Sequence, residues 1–140
     1  MRKIWMVIRS TMCALALACG SDHENGPDSD MLAGTRWRLT AWSVSALNAT
    51  GYAITADFGE ADMSGRVGVN TYGGPYTVTN AGGFSVGTLH ATAMSGSDDA
   101  MRAESLYLDL LRQARRYLMT STTLTLRNAA NQDLLIFQVR

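Results

Sequence analysis

Cysteine and histidine are scarce in this sequence. Of its 140 residues, two are cysteine (Cys13 and Cys19) and two are histidine (His23 and His90). No thiol follows Cys19, so the rest of the chain can form no internal disulfide. Zinc sites use cysteine and histidine ligands, and a single histidine beyond the N-terminal region leaves only carboxylates to complete one. The sequence therefore predicts no metal site and no cofactor.

An excess of charge and a long apolar run are also missing. Twelve basic and twelve acidic residues give a formal net charge of zero. Without a basic surface, nucleic acid is not an expected partner. The apolar run near the N terminus, from Met12 to Ala18, is shorter than the roughly 20 residues that a transmembrane helix needs.

The N terminus has the features of a bacterial signal peptide. The apolar run is preceded by three basic residues, Arg2, Lys3 and Arg9. Residues 16–19 resemble a lipobox, in which the cysteine becomes diacylated, although the leucine lies four residues before Cys19 instead of three. We expect residues 1–18 to be removed by cleavage between Ala18 and Cys19, and Cys19 to be lipidated. Cleavage without lipidation, giving a soluble periplasmic protein, is the alternative.

A polar segment connects this signal to the folded part. Residues 19–31 are polar and acidic and predict a flexible tether, and residues 32–140 are expected to form one domain. After cleavage, nine basic and twelve acidic residues remain, a net charge of −3. Gly20 takes the place of the Asp that retains some lipoproteins at the inner membrane. By this resemblance we expect lipid to hold the protein at the periplasmic face of the outer membrane. We also expect the protein to be a monomer.

The domain combines strand-like and helix-like patterns. Seven segments show strand patterns separated by turn residues: 35–44, 52–58, 65–69, 76–79, 84–89, 122–127 and 134–139. In the first, Trp37, Leu39 and Ala41 are expected to face the core. Residues 98–118 carry apolar side chains at helical spacing, with Ser97 as N-cap. The patterns predict an α+β domain, a curled antiparallel sheet of about seven strands packed on one helix.

Three segments follow one another in a distinctive order. Residues 68–76 read GVNTYGGPY, residues 89–94 read LHATAM, and the helix carries Glu104 and Tyr107. Together they resemble the META domain of the HslJ-like family, whose members typically read G-C-N-x-Y/F-x-G-x-Y, then L-x-x-T-x-M-x-C, then E-x-x-F/Y. The similarity extends over residues 32–139, essentially the whole domain.

The resemblance implies structural roles for the matching motif residues, which are Asn70, Tyr72, Gly74, Tyr76, Thr92 and Met94. Both family cysteine positions differ, being Val69 and Gly96 here, so no redox or disulfide role carries over. META domains are often found in exported lipoproteins, have been linked to stress and envelope phenotypes, and have no established enzyme activity. The resemblance therefore implies a non-catalytic binding or stress-protective module.

The residues that could carry chemistry have simpler explanations. His90 has no nucleophile-elbow motif to serve and is expected to be an exposed histidine. Asp98, Asp99 and Glu104 could act as acid and base, but acidic residues near the start of a helix also favour its dipole. The glycines of residues 65–74 lack the lysine of a phosphate loop and are typical of turns. No catalytic residue is therefore assigned, and hydrolase activity is only the third alternative.

Aromatic residues are numerous for a small domain. They are Trp37, Trp42, Tyr52, Tyr72, Tyr76, Phe84, Tyr107 and Tyr117. Most should form the core, but a curled sheet covered by one helix could leave an aromatic-lined groove for an extended peptide or an acyl chain. The alternative is a structural or interaction protein of the envelope without a ligand groove. An apolar pocket would favour binding, and a closed core under a polar surface would favour the alternative.

Overall fold

The computed structural model describes residues 31–43 and 45–140. The expected signal peptide, the site at Ala18 and Cys19, and the expected tether up to residue 30 lie outside these ranges. The elements within them are Arg36–Trp42 (β1), a short 3-10 helix at Ala49–Tyr52, Thr55–Phe58 (β2), Asp62–Val67 (β3), Asn70–Val78 (β4), Phe84–Val86 (β5), His90–Ala91 (β6), Asp98–Gln113 (α1), Arg116–Met119 (β7), Thr123–Arg127 (β8) and Asp133–Val139 (β9).

The strands form one antiparallel sheet that curls until its ends meet. The order is β5-β4-β3-β2-β1-β9-β8-β7, and β6 pairs with β4 next to β5. A bridge joins Gly83 to Arg116, and the backbone N–H of Phe84 donates to the carbonyl of Arg115 at 2.9 Å. These contacts join β5 to β7, so the sheet is nearly a closed barrel.

The expected α+β class is confirmed, since one helix packs on a mostly antiparallel, curled sheet. The described residues contain nine strands, where the sequence predicted about seven. One additional strand is β6, which has only two residues. The other is β7, which is formed by the end of the predicted helix. Short strands of this kind are fixed by pairing with their neighbours and leave little pattern of their own.

The helix begins where the sequence predicted. The side chain of Ser97 accepts a hydrogen bond from the N–H of Ala100 at 3.2 Å, so the expected N-cap is confirmed. The face toward the sheet is formed by the buried residues Ala103, Tyr107, Leu108, Leu110 and Leu111. The opposite face is charged and exposed. The helix is therefore amphipathic and covers the inner surface of the sheet.

The end of the helix was predicted wrongly. It stops at Gln113, because Ala114 has a ψ of 135° and the guanidinium of Arg115 donates to the carbonyls of Arg112 and Ala114, both at 2.7 Å. The chain then forms β7 against β8. Tyr117 and Leu118 fit the helical stripe, but strand geometry directs them to opposite faces and leaves Leu118 51% exposed.

A bulge changes the buried face of β1. Trp37 and Leu39 face the core as expected, but the pairing with β9 shifts register between Leu39 and Ala41. The shift buries Trp42 and leaves Ala41 half-buried, which corrects the expectation for that residue. Strict alternation in the sequence cannot reveal an inserted residue.

The next predicted strand begins later than expected. Residues 49–52 form the short 3-10 helix, capped by the side chain of Asn48, which accepts from the N–H of Thr50 at 3.1 Å. Ala53 then has a left-handed backbone with a φ of 50°. Because of this turn, β2 begins only at Thr55.

Aromatic side chains fill much of the interior. Trp37, Tyr107 and Phe137 are the largest fully buried side chains. Tyr107 lies edge-on between two rings, with centroids 5.3 Å from Tyr72 and 6.4 Å from Phe137. Of the aromatics singled out from the sequence, only Tyr52 and Tyr117 are partly buried. The core between helix and sheet is closed.

Candidate functional site

Asn70 connects three parts of the fold with one side chain. It is only 1% exposed. Its Nδ2 donates to the carbonyl of Met94 at 3.0 Å and to Oε2 of Glu104 at 2.7 Å. Its Oδ1 accepts from the N–H of Met94 and from the hydroxyl of Thr92, both at 2.8 Å. All four hydrogen-bonding positions of the amide are used, which ties β4 to the segment after β6 and to α1.

Thr92 and Met94, the two motif residues after β6, are held against β4. The N–H of Thr92 donates to the carbonyl of Thr71 at 3.0 Å, and the N–H of Thr71 donates to the Thr92 hydroxyl at 3.1 Å. Met94 is 58% exposed as a residue, although Asn70 holds its backbone. The motif thus fixes the path of the segment, and Met94 contributes mainly through its backbone.

Tyr72 and Tyr107 form a buried pair beneath this segment. Their hydroxyl oxygens are 2.6 Å apart, and the Tyr72 hydroxyl donates to the carbonyl of Thr55 at 2.7 Å. Because that proton is committed, Tyr107 donates to Tyr72. Burial raises the pKa of both phenols well above the ordinary value. The pair therefore stays neutral and joins β2, β4 and α1.

Gly74 and Tyr76 complete the motif on β4. A Cβ atom at Gly74 would lie 2.6 Å from the carbonyl oxygen of Thr88, so only glycine allows the chain before β6 to pass this closely. Tyr76 is buried, and its hydroxyl donates to the carbonyl of Gly59. The motif residues expected to be structural thus make contacts within the domain.

The two positions where the family has cysteine face each other. A Cβ atom at Gly96 would lie 3.2 Å from both methyl carbons of Val69. In a disulfide the two Cβ atoms are about 3.8 Å apart, so the backbones are close to the separation that a bridge needs. In this chain Val69 packs on Gly96 where the bridge would be.

The structure does not assemble an active site from the residues considered for chemistry. His90 lies exposed on β6, and Asp98 and Asp99 lie exposed at the start of α1. Asp99 pairs with Arg102 at 3.5 Å, and Glu104 accepts from Asn70. In the part of the chain that the structure describes, no three histidine, cysteine or acidic residues form a group that could hold a metal ion.

One opening with a largely apolar lining is a cleft at one end of the barrel, which we call the end cleft. Its volume is about 430 Å³, and it lies between the start of β1, the end of β9 and the turn from β7 to β8. It is lined by Gly34, Thr35, Arg36, Trp37, Met119, Thr120, Ser121, Val139 and Arg140. The indole N–H of Trp37 donates to the hydroxyl of Thr35 at 2.7 Å, which fixes the ring at the base of the cleft.

Of the two arginines that line the end cleft, one forms an ion pair and the other does not. Arg140 donates to both carboxylate oxygens of Asp57 at 2.8 Å. Arg36 has no ion-pair partner within the described ranges. One guanidinium at the rim is therefore available to an anionic group.

A second opening lies between the helix and the sheet. It has a volume of about 530 Å³ and a mixed lining of Ser43, Leu106, Asp109, Leu110, Gln113, Asn128, Gln132, Asp133 and Leu134. It is a surface recess at the margin of the helix, above a closed core.

No helix within residues 31–140 as described has the length and apolar character needed to cross a membrane.

Comparison with known proteins identifies the family. A family model described as META domain matches residues 30–140. The chain belongs to the META domain family. This confirms the resemblance found in the sequence. Among curated proteins, none matches the chain.

Solved structures share the fold of this META domain. An NMR structure of a protein from Burkholderia xenovorans has a TM-score of 0.65 and 26% identity, covering 80% of this chain and 86% of that one. A second NMR structure has a TM-score of 0.59 and 21% identity over 77% and 91% of the two chains. A crystal structure of a DUF4847 family protein from Bacteroides vulgatus has a TM-score of 0.58 and 12% identity over 79% and 95%. The last two show the fold alone.

Sequence reasoning missed two features of the META domain. Glu104 was matched to the family motif, but its bond to Asn70 joins residues 34 apart in sequence. The end cleft forms where three strand ends converge. Its lining residues, such as Thr35, Met119 and Val139, share no sequence motif. The signal available in the sequence was the presence of apolar residues at strand ends, next to turns that are usually polar.

Proposed function

We propose that the chain is an exported protein, anchored by lipid on Cys19, whose META domain is a non-catalytic module that binds an acyl chain in the end cleft. The main evidence for an acyl-chain ligand is the lining of that cleft. Trp37, Met119 and Val139 provide apolar walls, and Arg36 offers a guanidinium at the rim. Apolar walls with a few polar groups at the mouth are typical of sites for amphiphilic ligands.

The position of the end cleft supports this proposal. Gly34 and Thr35 line it, and they lie close to residue 31, where the described chain begins. The tether would therefore join the domain beside the cleft. If Cys19 carries lipid, the short tether keeps the cleft close to the membrane, within reach of lipids and fatty acids.

The polar groups of the cleft favour binding over catalysis. The lining contains hydroxyls and guanidinium groups but no histidine, cysteine or carboxylate side chain. Acid and base catalysis needs a side chain that can take up and release a proton near neutral pH. A stress-protective role, expected from the family, would then depend on ligand capture.

The ligand is tested by titrating the purified protein with a medium-chain fatty acid and following tryptophan fluorescence, to which Trp37 at the base of the cleft contributes. We expect a saturable change. Val139→Asp, which places a carboxylate in the cleft, should weaken binding by at least about tenfold. Leu118→Asp is a matched control, because Leu118 is as exposed as Val139, each at 51%, but does not line the cleft. Equal effects of both variants, or no saturable change in the unmodified protein, would refute the proposal.

The anchor is tested separately. Cys19→Ser should abolish incorporation of a labelled fatty acid and release the protein from membranes, with an unchanged circular dichroism spectrum. Retention of the variant in the membrane fraction would contradict lipid anchoring. Fractionation of the unmodified protein should place it in the outer membrane, and residence in the inner membrane would contradict the sorting inferred from Gly20.

A structural or interaction protein of the envelope is the second candidate. The closed core favours it, because the groove between helix and sheet that would have supported binding is only a recess of mixed polarity. This candidate predicts no saturable binding of fatty acid. The titration above therefore distinguishes the two functions.

A further inference from the structure

Three charged side chains meet at the rim of the end cleft. Arg36 and Asp57 lie directly opposite each other on β1 and β2, and the backbone N–H of Arg140 donates to the carbonyl of Arg36 at 3.2 Å. Both carboxylate oxygens of Asp57 accept from Nη2 of Arg140 at 2.8 Å. Counted over side chains, two guanidinium groups share one carboxylate, which leaves one positive charge at the rim.

Arg36 is the member of this group that can bind a ligand. It is exposed, it lines the cleft, and within the described ranges it has no ion-pair partner. Its opposite neighbour in the sheet is a carboxylate, but Arg140 already occupies Asp57. A free guanidinium presents a planar fork of N–H donors that matches the two oxygens of a carboxylate. The rim therefore lacks one anion.

Other arginines on the described surface lack the apolar walls that the end cleft provides. A recess at the end of the helix is bordered by Arg115 and Arg116, but its apolar side chains are those of Ala81 and Ala129. Alanine side chains are too short to enclose a hydrocarbon chain. At the end cleft, the free guanidinium lies in the same lining as the large ring of Trp37. One amphiphilic molecule can contact both.

We propose that the ligand of the end cleft is a fatty acid whose ionised carboxylate binds Arg36, and that Asp57 limits the site to one such charge by holding Arg140. This inference rests on the proposed function, since it names the head group of the acyl ligand. A carboxylate neutralises the single free charge, whereas a phosphate monoester carries about two negative charges at neutral pH and exceeds it. A neutral head group gains no ion pair with Arg36. Asp57 does not contact the ligand and acts as a positioning residue.

The head group is tested by titrating the whole chain with decanoic acid and with decanol at about pH 8, where the carboxyl group is ionised. The measured quantity is the acid preference, which is the Kd of decanol divided by the Kd of decanoic acid. We expect Arg36→Gln to lower the acid preference by about threefold to tenfold, as for loss of one partly exposed charge pair. Arg38→Gln is the matched control, an exposed arginine two residues along β1 that does not line the cleft, and it should leave the preference unchanged.

Asp57→Asn tests the positioning role, because it releases Arg140 and should raise the acid preference above that of the unmodified protein. Circular dichroism and thermal melting of all three variants establish that they fold. If both ligands bind but Arg36→Gln keeps the full acid preference, or if Arg38→Gln lowers it equally, the head-group assignment is overturned while acyl binding stands. An acid preference that does not rise in Asp57→Asn would overturn the role of Asp57. If neither ligand binds saturably, the proposed function itself is refuted.

Discussion

At the scale of single residues, Asn70 is important because its side chain makes four hydrogen bonds. Its amide satisfies both backbone groups of Met94 and also binds Thr92 and Glu104. Asn70→Ala removes four hydrogen bonds made by a side chain that is itself only 1% exposed, and we expect it to lower the free energy of unfolding by about 2 to 4 kcal/mol. Asn80→Ala, at an exposed turn, should cost under about 0.5 kcal/mol. Urea denaturation measures both, and equal losses would contradict the role given to Asn70.

The facing positions 69 and 96 give a second prediction at this scale. The unmodified domain should melt identically with and without reductant, because it has no cysteine after Cys19. Val69→Cys combined with Gly96→Cys should form a disulfide and stabilise the oxidised protein by about 3.5 kcal/mol, as expected for a loop of this length. Each single variant serves as a control and should show no reductant dependence as a monomer. Failure of the double variant to oxidise would mean that the two backbones are farther apart than described.

The buried tyrosine pair predicts how stability depends on alkaline pH. Burial raises the pKa of Tyr72 and Tyr107 above the value of about 10 expected in the unfolded chain. Their contribution to stability is therefore fully present below about pH 10 and is lost as pH rises toward the folded-state pKa. In an ultraviolet titration both should ionise together with unfolding, and Tyr107→Phe should make that step smaller. Ionisation of every tyrosine before unfolding would contradict their burial.

Several residue roles could be anticipated from the sequence, but their partners could not. The family motif marked Asn70, Tyr72, Gly74 and Thr92. It did not show that Asn70 reaches Thr92 and Glu104, because these contacts span 22 and 34 residues. Hydrogen bonds of such separation depend on the complete sheet and leave no local pattern.

At the scale of elements, α1 provides the sharpest contrast. Leu111 is fully buried against the sheet, whereas its neighbour Arg112 is exposed and pairs with Asp109 at 3.1 Å. Leu111→Ala should lower the free energy of unfolding by about 2 to 5 kcal/mol. Arg112→Ala should cost under about 1 kcal/mol, as exposed ion pairs contribute little. Chemical denaturation of the two variants side by side checks this, and small losses at both would show that the helix does not cover the core.

Element boundaries were predictable where a local signal exists. Ser97 caps α1 through its own side chain, so the start of the helix was visible in the sequence. The end was not, because Tyr117 and Leu118 satisfy helical and strand spacing alike, and pairing with β8 decides between them. The bulge in β1 was hidden for a similar reason, since register with β9 is a property of two strands.

For the whole molecule, the class of fold followed from the order of patterns, while the closure of the sheet did not. Strands on both sides of one helix predicted a curled sheet with a lid. Closure depends on Gly83 meeting Arg116, two residues on elements separated by the helix. The end cleft is a product of the same curvature, because it forms where strand ends converge. Function at this scale therefore had to be inferred from the assembled barrel.

Mass spectrometry of the protein purified from its host's membranes tests the proposed function most directly. Denatured, the unmodified chain should begin at Cys19 and carry the mass of covalent lipid. Under native conditions it should retain one further acyl-chain ligand, which Val139→Asp loses and Leu118→Asp keeps. An unlipidated chain would contradict the anchor, and a lipidated chain that retains no ligand would contradict the acyl-binding cleft.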